Sequence, residues 1–105
     1  MEALLKAIAE PRRQQILRLV WDREWTAGEV AARFDVSRPD ISKHLRILRE
    51  AGLIAERREG TRRLYRARPE RLADVRRFLD SFWDVSLAAI KLAAEADARS
   101  AGPRD

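Results

Sequence analysis

Residues 26 to 54 constrain this chain more than any other stretch, because they mark where two helices start, where the second stops and where the helical pattern gives way to another. Thr26 is followed three residues later by Glu29, the spacing of a capping box. In that arrangement the hydroxyl accepts from the third helical N–H and the carboxylate returns to the cap's own N–H. The helix begun there is expected to bury Val30, Ala31 and Phe34. After a break at Asp35 and Val36, Ser37 repeats the device with Asp40, and Pro39 stands in the first turn, where its missing N–H leaves no bond unmade. In "VSRPDISKHLRILREAGLI" the apolar residues Ile41, Leu45 and Leu48 share one face, and Gly52 is placed to close the helix in a left-handed conformation near Ala51. Beyond Gly52 the period changes from helical to alternating. Ile54, Glu56 and Arg58 lead to the turn Glu59-Gly60-Thr61, and Arg62, Leu64 and Arg66 follow with Tyr65 on the opposite face.

Two capped helices joined by a short turn, with a hairpin directly after the second, form the order of a winged helix-turn-helix. The flanks add helices. "EALLKAIA" places Leu4, Leu5 and Ile8 on one face, and Pro11 ends that run or opens the next helix, whose Ile16, Leu17 and Val20 face a core with Leu19 and Trp21 widening the stripe. Pro69 opens a long helical stretch carrying Leu72, Val75, Leu79, Phe82, Ser86 and Ile90 or Ala89 at spacings of three and four, with Phe78, Trp83, Val85, Leu87 and Leu92 making it apolar on more than one face. The expected fold is mainly α, with about five helices and a two-stranded β-hairpin wing. Residues 1–98 are expected to form one domain and residues 99–105 a flexible tail. The long helix exposes more apolar surface than so small a domain covers from within, and self-association accounts for it. Leu4, Leu5 and Ile8 at one end and Leu79, Phe82, Trp83, Leu87 and Ile90 at the other are the candidate dimerisation residues.

Composition removes whole classes of chemistry. The chain has no cysteine and one histidine, His44, so disulfides, thiolate metal sites, thiol catalysis and two-imidazole sites are all unavailable. There is no nucleophile with a base, no phosphate-cradling glycine loop and no metal cluster, so an enzyme is not expected, nor is any cofactor. No apolar run approaches the roughly 18 residues of a membrane helix, and Met1 leads into an amphipathic segment; a soluble, cytoplasmic bacterial protein is the expectation.

The formal charge is +5, and its location matters more than its size. From Ser37 to Arg68 ten cations face four acids, a local +6, so the rest of the chain sums to about −1. At about 100° per residue, with Ile41 at the centre of the buried face, Pro39, Lys43 and Arg46 point outward and Ser42 flanks them. Such a face suits the major groove of double-stranded DNA. Arg38 has the fork geometry for guanine O6 and N7, while Asp40 only accepts and would favour a cytosine amine. The helix's first turn, with Ser37, offers N–H groups to a phosphate, and Arg57, Arg58, Arg62 and Arg63 of the wing would add a sequence-independent grip. His44 belongs to the same helix, contacting phosphate or packing near the wing. A helix built to dock another protein would carry aromatic or aliphatic anchors there instead, and RNA recognition would call for an exposed aromatic pair.

The segment "TAGEVAARFDVSRPDISKHLRILREAGLIAERREGTRRLYRA" closely resembles the ArsR-type winged-helix repressors. It has their "S-x-P-x-x-S-x-H-L-x-x-L-x-x-A-G-L-[IV]" recognition helix and "R-x-E-G-x-x-x-x-Y" wing. The resemblance extends to the opening "LLKAIAEPRRQQILRLV" and to the terminal helix, which is similar to the family's dimerisation element. It implies a homodimeric repressor on a pseudo-palindromic operator, with Ser37, Arg38, Pro39, Ser42, Lys43 and His44 at the recognition positions. One departure bears on regulation. Metal-sensing members carry a Cys-x-Cys pair at the start of the third helix, where this chain has Thr26 and Gly28. Around Asp74, Asp80 and Asp84, where other members bind metal through paired terminal helices, there is no histidine. The resemblance is therefore to the branch without a metal cofactor. A small-molecule effector near Phe78, Phe82 and Trp83 is the alternative, and the sequence assigns none.

Overall fold

The computed structural model describes residues 1–101, the side chains of residues 83–86, 100 and 101 excepted. Among the described residues five helices and three strands follow in order. They are α1 (Glu2–Ile8), α2 (Pro11–Leu19), β1 (Trp25–Thr26), α3 (Ala27–Ala31), α4 (Arg38–Glu50), β2 (Ile54–Glu59), β3 (Arg62–Ala67) and α5 (Pro69–Ala101). The chain divides into two compact units, Met1–Val75 and Arg76–Asp105. The division falls inside α5, and Val75 is the last residue to enter the core cluster. The helix also continues to Ala101, past the expected start of the tail, and residues 102–105 lie outside the described residues.

Local signals set most boundaries. Pro11 is at the start of α2, which Glu10 caps by accepting the Arg13 N–H. α2 in turn finishes α1: Arg13 donates to the carbonyls of Ala7 (2.6 Å) and Lys6 (3.2 Å), and Gln14 donates to that of Ile8 (2.7 Å). The carbonyls of Ala7 and Ile8 are ones that a helix end otherwise leaves unmatched, and that of Lys6 also accepts the Ala9 N–H. The capping box of α3 is complete. The Glu29 N–H donates to Thr26 Oγ1 (3.1 Å) and the Thr26 N–H donates to Glu29 Oε1 (2.9 Å). At the other end of the helix-turn-helix, Gly52 has φ +80 and closes α4 with both bonds of a Schellman motif. Its N–H reaches Arg49 O (2.9 Å), and the Leu53 N–H reaches Leu48 O (3.0 Å). Leu48 and Leu53, the pair this motif brings together, are both fully buried.

The cap makes a prediction. The backbone N–H of Thr26, with its hydroxyl, holds the Glu29 carboxyl below its ordinary 4.5. The folded value lies below the unfolded one, so the stability from this charge is present above about pH 4.5 and lost as pH falls through the folded value. Thr26→Ala is expected to cost about 1 kcal/mol in urea denaturation at neutral pH. The destabilisation caused by Glu29→Ala should shrink as pH is lowered toward about 3. A gap independent of pH would exclude the charged box.

The sheet differs from the expected hairpin by one strand. β2 and β3 pair antiparallel from Ile54↔Ala67 to Glu59↔Arg62, leaving a two-residue turn with positive φ at Gly60 (+63). The two-residue β1 adds to the free edge of β3 through Trp25↔Tyr65 and Thr26↔Leu64, giving the order β1-β3-β2. Two residues just ahead of a helix cap carry no alternation, so this strand has no sequence signature. It decides the place of Trp25, which is buried with Arg23 stacked 3.7 Å over its ring.

The core draws Leu4 and Ala7 from α1, Ile16 and Leu17 from α2 with Val20 at its C-cap, Val30 from α3, and Ile41, Leu45 and Leu48 from α4. The wing's base closes it with Leu53, Ile54, Tyr65 and Ala67. Two expectations are corrected here. Trp21 is 44% exposed rather than part of the core stripe, because α2 ends at Leu19 and the helical period no longer turns it inward. Leu4, a candidate dimerisation residue, faces the protomer's own core at 3% exposure, while Leu5 and Ile8 are partly buried against that core. Phe34 and Ala31 are likewise only partly buried, Phe34 lying under the Arg12 guanidinium.

In the second unit Phe78 and Phe82 meet edge to face at 4.9 Å. Leu79, Phe82, Leu87, Ile90 and Leu92 are exposed, whereas the Trp83 side chain lies outside the described residues. No described helix is long and apolar enough to cross a membrane.

Candidate nucleic-acid interface

The outward face of α4, the inner face of the wing and the start of α3 enclose an open cleft of about 950 Å³. Burial of Ile41, Leu45 and Leu48 orients α4, so residues on the opposite side of the helix must face this space. Of the sequence-predicted residues, Arg38, Pro39, Ser42, Lys43 and Arg46 line it from the helix and Arg62 and Arg63 from the wing. Arg49, Thr61 and Tyr65 complete the wall together with one acid, Glu56. Six cations against a single carboxylate make the cleft strongly positive. Four of them, Arg38, Lys43, Arg46 and Arg62, make no ion pair among the described residues.

The structure places five other candidates differently. Arg57 is on the outer face of the hairpin with Ala55 and Glu59, one step out of phase with Glu56 and Arg58. There it donates to both oxygens of Glu24 (2.9 Å each) and to Glu59 (2.9 Å), and its pKa is raised, chiefly by Glu24. Glu24 is lowered by the same bond, so its charge supports the fold above about pH 4.5 and ceases to do so as acid titrates it. Arg58 is exposed but does not line the cleft. Ser37 is the helix cap: its hydroxyl accepts the Asp40 N–H at 3.3 Å. His44 turns toward α2 rather than the wing, with Arg13 Nη1 3.3 Å from its Nδ1. Its other ring nitrogen, Nε2, lies 3.6 Å from an Asp40 oxygen. Asp40 is therefore neighboured by His44, and neither residue lines the cleft.

Sequence reasoning passed over Arg49, Glu56, Thr61 and Tyr65 as site residues. A signal for Glu56 was present. It is the alternate residue after the buried Ile54, so the strand period directs it inward toward α4. Tyr65 sits opposite it in the register, and burial, followed by the nearby Glu56 charge, pushes its hydroxyl pKa up.

Comparison with known proteins agrees with this geometry. A helix-turn-helix domain family matches residues 8–57. The transcriptional repressor SdpR of Bacillus subtilis is 43% identical over 60 residues, 57% of this chain and 67% of the relative. An ArsR-like transcriptional regulator from Rhodococcus sp. RHA1 superposes with a TM-score of 0.77 at 34% identity, covering 90% of each chain. The homodimeric winged helix-turn-helix DNA-binding domain Mb0332 from Mycobacterium bovis, a possible ArsR-family regulator, gives 0.65 at 32% identity over 79% of this chain and 77% of its own. The cleft and fold define a DNA-binding winged helix-turn-helix transcriptional regulator, which is not an enzyme. The chain belongs to the ArsR family of such regulators.

Proposed function

We propose that this chain is a homodimeric repressor that occupies a pseudo-palindromic operator, with α4 of each protomer in a major groove and the wing against the adjoining backbone. The observation that carries this reading is the cleft, where Arg38, Lys43, Arg46 and Arg62 line one surface without internal ion pairs among the described residues. Arg38 and Ser42 are the candidate base readers, and Arg62 and Arg63 the backbone contacts. Dimerisation through α5 is supported by its exposed Leu79, Phe82, Leu87 and Ile90, and by the homodimeric state of the Mycobacterium bovis relative. Leu5 and Ile8 retain partial exposure for such an interface; Leu4 does not. Repression would follow from steric exclusion of polymerase.

Regulation without metal is supported by the donors. The chain has no thiolate, its one imidazole is engaged by Arg13, and Thr26 is occupied in capping α3. Asp74 accepts from Arg71 at 2.9 Å, and Asp80 lies 3.8 Å from Arg76. Among the described residues no three metal-capable side chains gather.

Selection of bound duplexes from a random-sequence library tests the proposal. The expected result is an inverted repeat with half-sites about one helical turn or somewhat more apart. Zinc, cadmium or arsenite at micromolar concentration and constant salt should leave the complex intact. Failure to enrich any sequence would remove the operator reading. A monomer in gel filtration at micromolar concentration would remove the dimer. Release by zinc, abolished by Asp74→Asn, Asp80→Asn or Asp84→Asn, the last a side chain outside the described residues, would overturn metal independence.

A further inference from the structure

The cleft holds one carboxylate among six cations. Glu56 lies on β2 with its side chain only 16% exposed, and its two oxygens serve two different elements. Oε2 accepts from Arg49 Nη1 of α4 at 2.8 Å, and Oε1 is 3.6 Å from Arg63 Nε of β3. A strand position facing a cation-lined groove is where a binding surface benefits most from a neutral or basic residue, since duplex affinity grows with each phosphate neutralised. An acid there lowers that attraction, and it withdraws two guanidiniums from indiscriminate phosphate contact.

We infer that Glu56 is a specificity-determining residue, an internal counter-anion that holds Arg49 and Arg63 off non-cognate DNA backbone. The inference rests on the proposed binding of duplex DNA in this cleft. Random-sequence DNA is bound almost entirely through charge, whereas cognate DNA adds base contacts from the other end of α4. On the cognate duplex base contacts fix the register and with it the phosphates that the wing end meets, whereas random DNA is free to shift toward whichever cations are unpaired, so freeing Arg49 and Arg63 adds more phosphate contacts on random than on cognate DNA. By bridging α4 to β3 it also fixes where the two arginines stand when the cognate duplex arrives.

The test is the salt dependence of binding to a random-sequence duplex and to the selected operator, for the full chain and for Glu56→Gln, which removes the charge and keeps the shape. The variant should bind random DNA more tightly. Each phosphate newly neutralised steepens the log affinity against log salt slope by about 0.9, which raises the ratio of affinities at 50 and 200 mM salt about 3.5-fold. The operator-to-random ratio should fall. Adding Arg49→Gln to Glu56→Gln should return the random-DNA slope toward that of the unmodified chain. An unchanged or shallower slope in Glu56→Gln, or an equal change of affinity, gain or loss, for both duplexes, would overturn the inference and leave Glu56 without a role in specificity. If Glu56→Gln unfolds, Glu56→Asp carries the test: its shorter side chain draws the carboxylate away from Arg49, and the same steepening is expected, an unchanged slope overturning the inference. Absence of salt-dependent binding by the unmodified chain would sink the reading of the cleft itself, a different outcome from the failure of this one.

Discussion

Leu45→Ala is expected to destabilise the first unit by about 2–5 kcal/mol, read as a lower urea midpoint at an unchanged slope. Leu45 is 1% exposed, midway along α4 between Ile41 and Leu48, where the recognition helix meets the core. Truncation there removes transfer free energy and leaves a cavity that neighbours on separate helices close only in part. A unit of this size has a total stability of order 4–11 kcal/mol, so the variant stands close to the unfolding threshold. The consequence for DNA is indirect. The cations of the cleft are aimed by the burial of the opposite face, so affinity should fall with the folded fraction and recover at lower temperature or with excess DNA, which binds only the folded form. A cost below about 1 kcal/mol would mean that α4 is not anchored as described.

The second large effect separates two arginines that share the cleft. Arg38, in the first turn of α4, and Arg62, at the start of β3, both lack ion pairs among the described residues. Removing Arg38 should relax discrimination at one operator position and cost roughly 1–3 kcal/mol on the cognate duplex, with a smaller change on random DNA. Arg62→Ala should weaken binding to all sequences alike and flatten the salt slope by about one. Competition binding against single-position operator variants distinguishes them. Equal losses on cognate and random duplexes for both variants would mean that Arg38 does not read a base.

Much of this architecture is visible in local chemistry. The Thr26/Glu29 box, the Ser37 cap, Pro11 and Gly52 each satisfy or exclude a backbone hydrogen bond through a neighbour in sequence, so their effect survives without knowledge of the rest of the fold. The buried stripe of α4 is similarly local, and from it comes the identity of the residues lining the cleft on the helix side. The wing is less legible. Its alternation is clear, but Arg57 and Arg58 are adjacent cations and only the register decides which face each takes.

The succession of helices, the closing turns, the concentration of positive charge and the lack of soft metal donors were determined by the sequence itself. All of these depend on residue identity or on neighbours within about one helical turn. The tertiary structure alone decided how charges distant in sequence pair. Glu24 lies 33 residues from the Arg57 it binds, Arg13 lies 31 from His44, and the two-residue β1 exists only because β3 offers it an edge. It also decided that Leu4 is core rather than interface and that Glu56 stands between Arg49 and Arg63. An ion pair needs its charges within a few ångströms, and sequence spacing does not set that distance once the chain has turned back on itself.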